Sequence, residues 1–149
     1  MNPYPNHKHG CPNYGKRDTC PPKAPLFGDI FNYGLPVYAV INEYDLGSHV
    51  EKMRQRHPDW SLRQLQCCLY WQGTARRQLR KAVKEALKAH KGYIAIYVPE
   101  AMGVDVTATL KAAGVYLEWP PKKIVRQVAL IARLREKEFR LANMPKGET

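Results

Sequence analysis

Hydrophobic and polar positions follow no regular order through residues 1–34, where Pro, Gly, Asn, His and Tyr dominate. Such a stretch offers no continuous face to bury and needs another organising force, which a metal can supply. From Leu35 the pattern changes to alternating elements. Pro36-Val37-Tyr38-Ala39-Val40-Ile41 is apolar and β-branched and predicts a buried strand. Asp45 or Ser48 then caps a short helix running to about Arg56, which His57-Pro58-Asp59 breaks. Ser61-Leu62-Arg63-Gln64 has the capping-box form, with Ser at the cap and Gln three residues later. It predicts a long helix through about His90, with Leu62, Leu65, Leu69, Leu79, Val83 and Leu87 on one stripe and Gly92 ending it.

Tyr93-Ile94-Ala95-Ile96-Tyr97-Val98 predicts a second strand, closed by Pro99. Asp105 caps a short helix to about Ala113, which Gly114 terminates. Val115 to Trp119 reads as a third strand before Pro120-Pro121. Ile124 to Leu134 is apolar enough for either state, and a strand with a charged tail is the preferred assignment. Strands separated by helices define an α/β domain: a small sheet of three to four strands with flanking helices and an irregular N-terminal cysteine-rich loop.

With 149 residues, the chain fits one domain with a real core. It divides into a loop segment, 1–34, and an α/β body, 35–149. Hydrophobic residues at 44% and charged residues at 25% are ordinary globular usage, which excludes a disordered chain. No apolar run approaches the ~20 residues needed to cross a membrane. Met1 to Asn6 has two prolines and no apolar h-region, so no secretory signal is expected and the cytoplasm is the expected compartment. In that reducing compartment the four cysteines are not expected to form structural disulfides. They are buried small hydrophobes, redox-active thiols or metal ligands.

Their surroundings favour a metal. Cys11 and Cys20 bracket a turn-rich loop, Cys11-Pro12-Asn13-Tyr14-Gly15-Lys16-Arg17-Asp18-Thr19-Cys20-Pro21-Pro22. There proline fixes φ and glycine permits tight bends, so thiolates can be aimed at one point. Cys67 and Cys68 are expected in the first turns of the long helix, pointing roughly 100° apart, so that one faces the loop while the other lines a wall or packs in the core. Cys68 is the better placed of the two. The spacing matches neither a zinc ribbon or finger, with its short Cys-x-x-Cys knuckles, nor the common ferredoxin runs. An iron–sulfur cluster held by three or four dispersed thiolates is the preferred cofactor, and zinc is the alternative. Three thiolates would leave one iron open to substrate. His7 and His9 flank the loop as further donors or as part of a solvated basic tail.

The Cys-Pro-Asn-Tyr-Gly…Cys-Pro-Pro loop resembles that of a group of bacterial and archaeal predicted metal-binding proteins. Their signature is a cysteine, a Tyr-Gly pair and a terminal Cys-Pro-Pro. The likeness is specific over residues 11–22 and weaker over Leu117-Glu118-Trp119-Pro120-Pro121 and Val125 to Ala129, where it implies a C-terminal strand. Members of the group usually carry more closely spaced cysteines in mid-chain. This sequence has only Cys67-Cys68 there and looks like a shortened, divergent relative. The resemblance implies a metal and no particular reaction.

Charge changes the picture most. Lys and Arg number 24 against 13 Asp and Glu, a net charge of +11 that favours polyanions, above all nucleic acid or a nucleotide-like substrate. Arg77, Lys81, Lys84, Lys88 and Lys91 recur every three or four residues, interrupted by Glu85 alone among acidic residues. With Arg76 they are the candidate nucleic-acid contacts, although such a run also suits a solvated face. Tyr70 or Trp71 could stack on a base, or both could be core aromatics. Asp18 serves a turn or acid–base work, Glu100 a helix cap or a strand-end site, and His49 and His57 are not evidently near the thiols. No Gly-rich phosphate loop, nucleophile elbow or His-Glu-x-x-His is present. Three function classes remain: an iron–sulfur protein acting on a nucleotide or RNA in sulfur or base-modification chemistry, a non-catalytic nucleic-acid-binding or regulatory module with structural zinc or cluster, and a metal-free interaction protein with reactive thiols. Oligomeric state is not legible.

Overall fold

The computed structural model describes Cys11 and residues 14–136. Five helices and three strands occur among them: α1 (Phe27–Ile30), β1 (Tyr38–Asp45), α2 (Leu46–Arg56), α3 (Leu62–Leu65), α4 (Gln72–Ala89), β2 (Ile94–Ile96), α5 (Val106–Ala112) and β3 (Ile124–Ala132). One-turn 3₁₀ segments lie at Cys68–Tyr70 and Pro99–Met102. The expected small α/β domain is present, with a three-stranded sheet in the order β1-β3-β2. Both outer strands run antiparallel to β3, with Tyr38 opposite Ile131, Asp45 opposite Ile124 and Ile96 opposite Leu130.

The 124–134 segment, ambiguous by pattern, becomes the central strand because both of its faces are covered. Alternate residues point to opposite sides of a sheet. On one side Val125 joins Leu46, Trp71 and Ala75, while Ala129 and Ile131 pack with Leu79 and Val83. On the other, Leu130 and Ala132 meet Phe27, Phe31 and Ile96. A strand buried on both faces reads as a continuous apolar run, which is why its period is silent. Between the two α4-side clusters sits a polar pair in register, Asn42 opposite Gln127. The Asn42 amide donates to the Ala75 carbonyl at 3.3 Å and to Gln78 at 3.4 Å, tying β1 to α4.

Local signals set most boundaries. Asp45 accepts from the Ser48 N–H at 2.8 Å and from its hydroxyl at 2.6 Å, starting α2. These bonds hold the Asp45 carboxyl below its ordinary pKa. Ser61 and Gln64 form the expected capping box. Asp105 caps α5, and beyond its end Gly114 adopts φ +78°, a left-handed geometry that favours glycine.

Two expectations fail. Val115 to Trp119 forms no strand; the segment is an irregular connection into β3. The single long helix from Ser61 to His90 is also absent, replaced by α3, a break at residues 66–71, and α4. The reason is angular. On one continuous helix the 62/65/69 stripe would lie roughly 100° around from the 71/75/79/83 stripe, so both could not face one core. The chain breaks, burying Leu65, Trp71, Ala75, Leu79 and Val83 and leaving Leu62 and Leu69 exposed, the latter at 85%. Trp71 pins the break: its indole N–H donates to the Gln66 carbonyl at 3.1 Å and its ring stacks on Tyr44. β1 also starts two residues later than expected, runs on to Asp45 and, as an outer strand, has no fully buried residue where a buried strand was expected.

Candidate functional site

The break places Cys67 and Cys68 in a turn rather than on a helix. Cys67 is half-buried and precedes the 3₁₀ segment; Cys68, favoured as the inward-facing ligand, is exposed. Cys67 instead lines a cavity of about 270 Å³ together with Trp60, Arg63, Gln64 and Tyr70. Stacking builds its wall. The His57 ring lies parallel to Trp60 with centroids 3.9 Å apart, and Trp60 meets Tyr70 at 5.3 Å. Gln64 is held by accepting from the Ser61 N–H at 2.9 Å. Arg63 has no ion-pair or hydrogen-bond partner among the described residues.

Of the two aromatics nominated from sequence, Tyr70 is 53% exposed and lines the cavity, while Trp71 belongs to the core. Trp60, Arg63 and Gln64 were not singled out. A signal existed, since residues 60, 63, 64 and 67 recur at the spacing of one helical face.

The N-terminal cysteines occupy a separate turn-dense loop. The Cys11 carbonyl accepts from the Tyr14 N–H at 3.1 Å, and that of Cys20 from the Lys23 and Ala24 N–H groups at 3.1 and 3.0 Å. The Gly15 N–H closes the loop on the Pro21 carbonyl at 2.7 Å. Cys11 and Cys20 are each half-buried. Asp18 lies in the turn, its carboxylate exposed and paired with Lys23 at 3.1 Å. Among the described residues, no three His, Cys, Asp or Glu side chains lie together as a metal-binding group. His7 and His9 lie outside the described residues.

The α4 basic residues do share a face. Arg77, Arg80, Lys81, Lys84 and Lys88 are all exposed and lie opposite the buried Ala75, Leu79 and Val83; Arg76 is exposed on the flank. Lys88 pairs with Glu85 at 2.9 Å, whereas Arg76, Arg80, Lys81 and Lys84 have no such partner among the described residues. Arg80 was missed, although it lies three residues after Arg77 and four before Lys84. Like charges at i and i+4, as in Arg76–Arg80, Arg77–Lys81 and Arg80–Lys84, each weaken a helix by ~0.2–0.5 kcal/mol. A bound polyanion would relieve that repulsion.

His49 sits in the first turn of α2. It contacts the Tyr44 hydroxyl through Nδ1 at 3.3 Å, and its Nε2 is buried without a partner among the described residues. Burial, then the nearby Lys52 charge, pushes its pKa down, while burial and Asp45 raise that of Tyr44. Glu100 is exposed in the 3₁₀ segment after β2. No helix among the described residues is long and apolar enough to cross a membrane. No family model, curated protein or solved structure matches the chain.

Proposed function

We propose that this chain is a non-catalytic nucleic-acid-binding protein that engages the phosphate backbone through the outer face of α4. One observation carries the reading. Arg77, Arg80, Lys81 and Lys84 stand exposed on a single helix face, opposite its buried side, in a chain of net charge +11. Lys and Arg that replace condensed counterions supply sequence-independent affinity. Binding of labelled RNA and DNA oligonucleotides, followed by fluorescence anisotropy across a salt series, tests it. Expected is affinity that falls linearly on a log–log plot. Absence of affinity at low salt overturns the reading.

A second reading keeps the metal. The closed loop that holds Cys11 and Cys20 is a two-thiolate starting point for a soft metal ion. An iron–sulfur cluster needs three or four thiolates, and zinc four nitrogen or sulfur donors. The further donors would come from Cys67 or Cys68, or from His7 and His9, and sulfur or base-modification chemistry would extend this reading. Anaerobic purification with assays for iron, acid-labile sulfide and zinc decides it. Retained metal, lost in Cys11→Ser and in Cys20→Ser, supports the centre; four titratable thiols and no metal sink it.

A further inference from the structure

The cavity beside Cys67 has a chemistry that backbone binding does not use. Its lining combines two aromatic rings, an amide, a thiol and a guanidinium: Trp60, Tyr70, Gln64, Cys67 and Arg63. At about 270 Å³ it falls just under the ~300–1,000 Å³ range of drug-sized ligand pockets, a size suited to one ring system. We infer that it receives one unstacked base of a single-stranded nucleic acid whose backbone runs along α4. This deepens the proposed function and rests on it.

Three observations select that occupant. The first is preorganisation: His57 stacked at 3.9 Å holds the Trp60 indole, so little ordering is needed on binding. Trp60 and Tyr70 touch at 5.3 Å, so a third ring lies against an open ring face and not between the two. The second is charge. Arg63 is exposed and without an ion-pair partner among the described residues, and its guanidinium suits either a phosphate or a base plane. The third is continuity. The chain passes from Tyr70 through Trp71 into α4 at Gln72, so the cavity adjoins the helix that carries the basic face. Paired bases in a duplex have no free face to offer, so the cavity confers preference for single strands.

The test compares a labelled oligouridylate, an oligothymidylate and a duplex hairpin of equal charge whose loop is a non-nucleotide linker. It is run on the full chain carrying Trp119→Phe, which leaves Trp60 and the buried Trp71 as emitters. Expected is quenching of Trp60 emission by both single strands and none by the hairpin. An added oligodeoxyuridylate arm, which differs from oligouridylate only at the 2′ position, shows whether a 2′-hydroxyl is also read. Tyr70→Ala, at an exposed position, is expected to weaken single-strand binding about 5- to 150-fold, the range for loss of one base–aromatic stack. Hairpin binding should stay unchanged, and the thermal midpoint should fall by no more than the loss of one ring contact, a few degrees. Equal affinity for hairpin and single strands, with no quenching, overturns the inference and leaves backbone binding by α4 standing. No salt-dependent binding of any nucleic acid overturns both.

Discussion

Removing three charges from α4 gives the sharpest measure of how this protein would hold nucleic acid. Arg77, Lys81 and Lys84 are exposed and lie opposite the core stripe, and among the described residues their one side-chain bond is that of Arg77 to Thr74 at 3.2 Å. Replacing all three by Gln removes the charges at similar helix propensity, with side chains one or two atoms shorter. Each phosphate contact on a single strand contributes a slope of about −0.7 to log K against log salt, so three lost contacts flatten the slope by about 2. Extrapolated from a 1 M reference, the triple variant binds about 100-fold more weakly at 0.1 M salt and about 4-fold more weakly at 0.5 M. The fold should not suffer, because Arg77–Lys81 repulsion at i and i+4 is removed, a gain of ~0.2–0.5 kcal/mol. Anisotropy titrations at four salt concentrations, with a thermal melt of each protein, supply both readouts. An unchanged slope would refute the placement of phosphate on this face, as would an equal loss of affinity at every salt concentration.

Other parts of the molecule make independent predictions. Ile131→Ala, at a fully buried position of the central strand, should lose about 2–5 kcal/mol in urea unfolding with m unchanged; less than about 1 kcal/mol would contradict the two-sided burial of β3. The folded pKa of His49 lies below its unfolded value of ~6.5, so the fold favours the neutral ring. Stability from His49 is therefore present above ~6.5 and lost as pH falls from there through the folded pKa; His49→Gln should flatten the thermal midpoint between pH 8 and 5, and identical curves would refute the burial argument. Asp45 has the depressed carboxylate pattern, so its contribution is present above ~3.9 and lost as pH falls through its folded pKa; Asp45→Asn should flatten the acid limb of the same curve.

Elements with a local cause were legible in the sequence. Asp45, the Ser61–Gln64 box and Asp105 announce helix starts that the structure contains, because capping is decided within four residues. The basic face of α4 was legible for the same reason, apart from Arg80. The break at 66–71 was not, since it follows from two apolar stripes competing for one core and shows only when their angles are compared. That miss carried the cysteine geometry with it, because Cys67 and Cys68 had been placed on a helix that does not exist there. It also concealed the cavity, whose wall depends on His57, Trp60 and Tyr70 meeting across the α2–α3 connection and the break. Val115 to Trp119 has strand-like composition but, among the described residues, pairs with no strand, and propensity without a partner makes no sheet.

The position of β3 governs how the chain must assemble. β1 and β2 do not touch as strands; each is joined to the sheet through residues 124–132, so Tyr38 waits for Ile131 and Ile94 for Ala132. During synthesis everything from residue 38 to residue 123 emerges before the strand that unites it. Helix α4 can form at once from local contacts, but the edges of β1 and β2 stay unpaired until β3 leaves the ribosome. Closing so long a loop slows folding and prolongs exposure of two unpaired strand edges. A fragment ending before Ile124 would hold the helices and the cysteines and still have no sheet to organise them.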